Sequence, residues 1–193
     1  MQIYTIRHTA VALAQGICYG QSEVPLAIDF QLDFNRICQQ LPTDFDVIFS
    51  SPLQRCQRLA LALEKHADDG LGEVSTHPAL MEVNFGDWEL KNWSDIPQHQ
   101  SQAWMDDYVN QSPPNGESLQ MLYQRVQLFL DDLRAKPHQK VLIVAHAGVV
   151  RCIWAYVLGL PLQNIFKINI QFGQITAFKF NANPAMDALL WSK

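Results

Sequence analysis

No stretch of this chain approaches the roughly 20 consecutive apolar residues that a membrane-spanning helix requires. Its first residues, Met1-Gln2-Ile3-Tyr4-Thr5-Ile6, run directly into Arg7 without a basic leader or a signal-length apolar segment. A cytoplasmic location is the expectation. Positive charge is scarce too: 14 Lys and Arg stand against 19 Asp and Glu, a formal net charge of -5, with no dense basic block to follow a nucleic-acid backbone or an anionic membrane. Neither partner is expected. The four cysteines (Cys18, Cys38, Cys56, Cys152) include no Cys-x-x-Cys pair, which removes a zinc knuckle and a dithiol redox site. They read as small reduced core residues. The six histidines lack metal-ligand spacing, and no Gly-x-x-x-x-Gly-Lys-Ser/Thr loop is present, so no metal, cofactor or P-loop nucleotide site is expected.

What is present is ordinary globular material. At 193 residues, 48% hydrophobic and 17% charged, the chain suits one domain spanning 1–193 that buries a sizeable core. Three short apolar runs predict buried strands: Gln2 to Ile6 ending at Arg7-His8, Asp46 to Ser50, and Lys140 to Ala145 ending at His146. Near-continuous apolar strands belong to parallel sheets covered on both faces by helices. Helical spacing accordingly separates them, over Pro25 to Leu41, Pro52 to Lys65, Glu117 to Lys136 and Gly148 to Leu158. Segments near Ile165 to Gln171 and Gln174 to Phe180 are expected as antiparallel edge strands. The fold class is therefore α/β, a three-layer sandwich with a mostly parallel sheet. Residues 82–114 break this rhythm with Phe85, Trp88, Trp93, Trp104 and Tyr108 among prolines, and read as an aromatic-rich insertion over one end of the sheet.

The three parallel strands end in Arg7-His8, Ser50-Ser51-Pro52 and His146-Ala147-Gly148, and open α/β sheets bind ligands outside the carboxyl ends of their strands. Those residues should meet. Arg55 lies one turn into the helix after the second strand and can face the same crevice. Two histidines, two arginines and helix amino ends suit an anion carrying about two charges.

The segments Ile6-Arg7-His8-Thr9, Ser50-Ser51-Pro52-Leu53-Gln54-Arg55 and Val144-Ala145-His146-Ala147-Gly148 resemble, in order, the three signature motifs of the histidine phosphatase superfamily, which includes the phosphoglycerate mutases. The resemblance implies a phosphoglycerate mutase-like fold and a two-step phosphoryl transfer without metal, in which His8 attacks phosphorus and water later releases phosphate. It also implies that Arg7, Arg55 and His146 hold the phosphoryl oxygens, His146 as a cation. Glu82, in Leu80-Met81-Glu82-Val83-Asn84-Phe85-Gly86-Asp87-Trp88-Glu89, matches the family's general acid and base. Asp87 and Glu89 are the less favoured donors. Substrate contacts are implied for Tyr19, Gly20 and Ala147.

Gly16-Ile17-Cys18-Tyr19-Gly20-Gln21-Ser22, Phe85-Gly86-Asp87-Trp88-Glu89 and Asn115-Gly116-Glu117-Ser118 are similar to the α-ribazole phosphatase branch, which removes a 5'-phosphate from a nucleoside-like intermediate of cobalamin biosynthesis. The aromatic insertion would then stack a benzimidazole ring. The partner expected is a small phosphorylated, nucleoside-like substrate, and the sequence leaves oligomeric state open, a homodimer included. Thr9-Ala10-Val11 follows His8 where the wider family has Gly and then an acidic residue, a departure that weighs against a mutase.

Rivals remain within and outside this chemistry. No cysteine is followed six residues later by Arg, and Asp44-Phe45-Asp46 precedes its strand rather than following it, so cysteine and aspartyl-phosphate enzymes are excluded. A broad small-molecule phosphatase, a phosphoglycerate mutase and a non-catalytic phosphate-binding module stay as alternatives.

Overall fold

The computed structural model describes residues 1–66 and 72–193. Six strands form one sheet: β1 (Gln2–Arg7), β2 (Val47–Ser50), β3 (Val74–Thr76), β4 (Lys140–Ala145), β5 (Ile175–Lys179) and β6 (Ala188–Ser192). Their order is β3-β2-β4-β1-β5-β6. The first four run parallel, with Arg7 opposite Ala145 and Ser50 opposite Val144, whereas β5 and β6 are antiparallel additions.

The central strands are apolar almost throughout because both of their faces are covered. On one face Ile3, Val141 and Ile143 pack against Leu122, Val126 and Leu130 of α4 (Leu119–Arg134) and Val149 and Ile153 of α5 (Ala147–Leu158). On the other, Ile6, Leu142 and Val144 meet Ile37 of α1 (Phe30–Cys38) and Leu59 and Leu63 of α2 (Gln54–His66). Ser118 caps α4 by accepting from the Met121 amide at 3.3 Å. Gly159, at φ +61°, ends α5 in the left-handed conformation.

Two expected elements differ. Residues 25–29 are not helical, because Ala12 N–H donates to Pro25 and Ala27 N–H to Ala10, pinning this stretch against the segment after His8. The helix starts only at Phe30. The expected edge strand at Ile165 to Gln171 is instead a 3-10 helix, Leu162–Lys167, followed by irregular chain. Its carbonyls serve arginines rather than a strand ladder: Ile168 accepts from Arg151 and Ile170 from Arg7. Strands β3 and β6 have no counterpart in the sequence reading.

The aromatic segment carries 3-10 turns and α3 (Gln98–Asp106). Cys18, Trp88 and Ile96 form a small core of their own there, with Phe85, Trp93 and Trp104 against it. Leu142, fully buried in the middle strand, tests the main core. Leu142→Ala is expected to remove about 2–5 kcal/mol of stability, read as a lower urea midpoint at unchanged slope.

Candidate active site

Parallel pairing delivers the site residues. His8 follows β1 and donates its amide to Ala145 at 2.9 Å, Ser51 follows β2 and donates its amide to Val144 at 3.0 Å, and His146 follows β4. The two imidazoles stand 5.1 Å apart between ring centroids, edge to face, and both are buried. Arg7, His8, Tyr19, Arg55, Glu82, Phe85 and Trp93 line one cavity of about 230 Å³. The residues expected from the strand ends, His8, Arg7 and Arg55, thus come together with His146 against them, and Glu82, expected from the resemblance, joins them in the cavity.

Hydrogen bonds assign the tautomers. His8 Nδ1 lies 2.8 Å from the Thr9 carbonyl, an oxygen that can only accept, so Nδ1 carries the proton and Nε2 keeps its lone pair. His146 is the reverse. Arg55 Nε donates to its Nδ1 at 3.3 Å, and Nε2–H therefore donates to Ser51 Oγ at 2.8 Å. Burial, then the Arg55 charge and to a lesser degree that of Arg7, push His8 down to about 3. Burial, with His8 and the arginines beside it, holds His146 well below the usual imidazole range. Fully buried and accepting from an arginine, His146 is neutral in this structure, whereas the cation that the resemblance implies is one with phosphate bound.

Each arginine has a distinct setting. Arg55 is fully buried, with Nη1 donating to Ser22 at 2.9 Å and Nη2 to Gly20, so that it holds the carbonyls of the loop after His8. Arg7 donates from Nη1 to Ile170 at 2.7 Å and lies 3.6 Å over the Phe172 ring. Its Nε is buried and has no partner among the described residues. Burial lowers its affinity for a proton, which Tyr19 and Glu82 oppose. Tyr19 itself is pushed up by burial and keeps its hydroxyl proton.

Glu82 is placed by two amides, Val83 N–H to Oε1 at 3.0 Å and Gly148 N–H to Oε2 at 3.1 Å. A Cβ on Gly148 would sit 2.2 Å from Glu82 Oε1, so this residue must be glycine for the carboxylate to reach the helix end. Ala147, half-buried, begins α5 beside it. Gly20 is likewise steric: a Cβ there would lie 1.9 Å from the Val83 carbonyl. Its amide goes to Glu89 and its carbonyl accepts from Arg55, so it supports the site from behind Tyr19 and does not itself line the cavity.

Sequence reasoning passed over Glu89. Its carboxylate accepts from the amides of Gly20, Gln21, Ser22 and Phe85 at 2.9–3.1 Å, tying the loop after His8 to the aromatic segment. Burial alone would raise its pKa, but these backbone donors bring it below the ordinary carboxylate value. Ile170 and Phe172 were also missed, since only a tertiary fold shows that they seat Arg7. Among the described residues no group of three or more His, Cys, Asp or Glu is arranged to hold a metal ion.

The model of the histidine phosphatase superfamily (branch 1) matches residues 3–189. The chain is 29% identical over 201 residues to the adenosylcobalamin/alpha-ribazole phosphatase of Escherichia coli K12, covering 100% of this chain and 97% of that protein. It is 33% identical over 181 residues to a Hydrogenobacter thermophilus protein provisionally named phosphoserine phosphatase 2, covering 91% and 87%. The crystal structure of the alpha-ribazole phosphatase from Shigella flexneri superposes with a TM-score of 0.88 at 29% identity, over 98% of this chain and 94% of that one.

The buried neutral imidazoles set a pH dependence. In the unfolded chain they titrate near pH ~6.5, so below that value the unfolded state binds more protons than the native one. Their contribution is complete above about pH 6.5 and is lost as the pH falls toward the His8 value of about 3. Between about pH 7 and about pH 5.5 the loss is about 1 kcal/mol per histidine. Urea midpoints should fall over that range, and His8→Asn should flatten the fall by roughly one histidine's share.

Proposed function

The chain belongs to the histidine phosphatase superfamily, branch 1, and we propose that it hydrolyses a phosphate monoester through a phosphohistidine on His8. The observation that carries the reading is the His8 Nδ1–H bond to the Thr9 carbonyl at 2.8 Å, which leaves Nε2 unprotonated at the cavity lined by both arginines and Glu82. Nε2 attacks phosphorus in line with the leaving oxygen. Arg7, through its unpartnered Nε, and the Arg55 guanidinium stabilise the equatorial oxygens. A phosphoryl dianion seated against His146 favours the charged imidazole there, so the cationic state accompanies substrate rather than preceding it. Glu82 delivers the proton to the leaving alkoxide and then takes one from the water that cleaves the phosphohistidine. Tyr19 lines the cavity, and Gly20, by its lack of a side chain, lets the loop close against Val83.

The substrate we favour is α-ribazole 5'-phosphate. Support comes from the names of the relatives from Escherichia coli and Shigella flexneri and from the Tyr19, Phe85 and Trp93 rings that line the phosphate cavity. These give a planar heterocycle something to rest on. Trp88, by contrast, is buried in the small aromatic core and does not line that cavity.

Two experiments test the two halves of this reading. Wild-type protein quenched during turnover should carry an acid-labile phosphate that His8→Ala lacks; labelling that survives the substitution would put the nucleophile elsewhere. In a screen of kcat/KM, α-ribazole 5'-phosphate should exceed phosphoserine, 3-phosphoglycerate and p-nitrophenyl phosphate. A preference for phosphoserine or 3-phosphoglycerate would remove the cobalamin assignment, and no phosphate release from any monoester would leave only a binding module.

A further inference from the structure

Glu82 lies on irregular chain, between the 3-10 turn at Pro78–Leu80 and the one at Gly86–Trp88, where no helix or strand holds the backbone. One side chain takes over that task. Arg125, on α4, forks onto Glu117 with Nε to Oε1 at 2.9 Å and Nη2 to Oε2 at 2.9 Å. Its remaining donors go to the acid segment: Nη1 to the carbonyls of Ala79 and Met81, both at 2.7 Å, and Nη2 to the carbonyl of Glu82 itself at 2.9 Å. Glu117 completes the grip by accepting from the Asn84 amide at 2.9 Å. Backbone groups on both sides of Glu82 are therefore bonded to one ion pair.

The pair is largely shielded, with 21% and 17% of the Arg125 and Glu117 side chains exposed. A guanidinium is the one side chain that can supply this geometry, since its planar fork serves a carboxylate on one edge and carbonyls on the other. Gln21 Nε2 adds a bond to the Glu82 carbonyl at 3.0 Å, so the loop after His8 leans on the same point.

We infer that the Arg125–Glu117 pair is a positioning device that holds the Glu82 carboxyl at leaving-group distance, rather than a general support of the fold. Neither side chain lines the cavity shared by His8 and both arginines, although Glu117 lines a second pocket together with Glu82 and Phe85, so the pair reaches the phosphoryl site only through Glu82. The inference rests on Glu82 being the general acid. A displaced acid matters only where the leaving oxygen needs a proton. An alkyl phosphate does; 2,4-dinitrophenyl phosphate, whose phenolate leaves unaided, does not.

The test compares kcat/KM for those two kinds of substrate in Glu82→Gln, Arg125→Met, Arg125→Lys and Glu117→Gln, with far-ultraviolet circular dichroism as the check of folding. The alkyl substrate should lose about 10²-fold or more in Glu82→Gln while the dinitrophenyl ester loses less than about threefold. Arg125→Met should reproduce that split, and Arg125→Lys, which retains the charge but not the fork, should restore little of it. Equal losses on both substrates in the Arg125 and Glu117 variants, beside a clear split in Glu82→Gln, would overturn the inference alone. Absence of a split in Glu82→Gln would overturn the acid assignment and the inference with it. Failure of all three Arg125 and Glu117 variants to fold would make the pair structural and would also overturn it.

Discussion

A charge that water cannot reach must find its partners inside the protein, and the Arg55 guanidinium is such a charge. It is fully buried, gives Nε–H to His146 and one N–H from each Nη to the carbonyls of Ser22 and Gly20, and forms no ion pair with a carboxylate among the described residues. Dipoles satisfy its hydrogen bonds but leave its charge uncancelled, a state that costs several kcal/mol unless an anion arrives. That standing imbalance orders the rest of the site. It fixes the tautomer of His146, holds two carbonyls of the loop after His8, and adds to burial in keeping both imidazoles neutral.

Apart from Glu82, which lines the anion pocket itself, the nearby carboxylates are sorted away from its arginines. Glu89 spends its charge on four backbone amides, and Glu117 pairs with Arg125 outside the cavity. Both shape loops without neutralising the place where a phosphoryl group would bind. The positive potential that remains comes from few residues, in a chain whose overall charge is negative.

The parts of the fold that were legible in the sequence are those where one physical demand dominates. Gln2 to Ile6 and Lys140 to Ala145 are buried on both faces and can hardly be read as anything but strands, and His8 and His146 follow at their ends. Where a segment answers to a distant partner, local pattern misleads. Ile165 to Gln171 is apolar enough for a strand, yet its carbonyls are claimed by Arg7 and Arg151. The three-residue β3 is too short to carry a period. The roles of Glu89 and Arg125 were illegible for another reason: apart from Glu117, their partners are backbone groups, which every residue possesses and no sequence distinguishes. The charge state of His146 likewise depends on burial and on the direction in which Arg55 donates.

The near-contact of Gly20 with the Val83 carbonyl leaves no room for a side chain. The loop that covers the anion pocket and the segment that carries Glu82 are thereby locked as one part, with no slack between them. A lineage changing its substrate could not remodel that seam without disturbing the acid. Divergence is channelled to side chains that line the cavity without making that contact, such as Ile17 and Trp93. Taste for a new alcohol can drift there while the machinery for phosphate stays as it is.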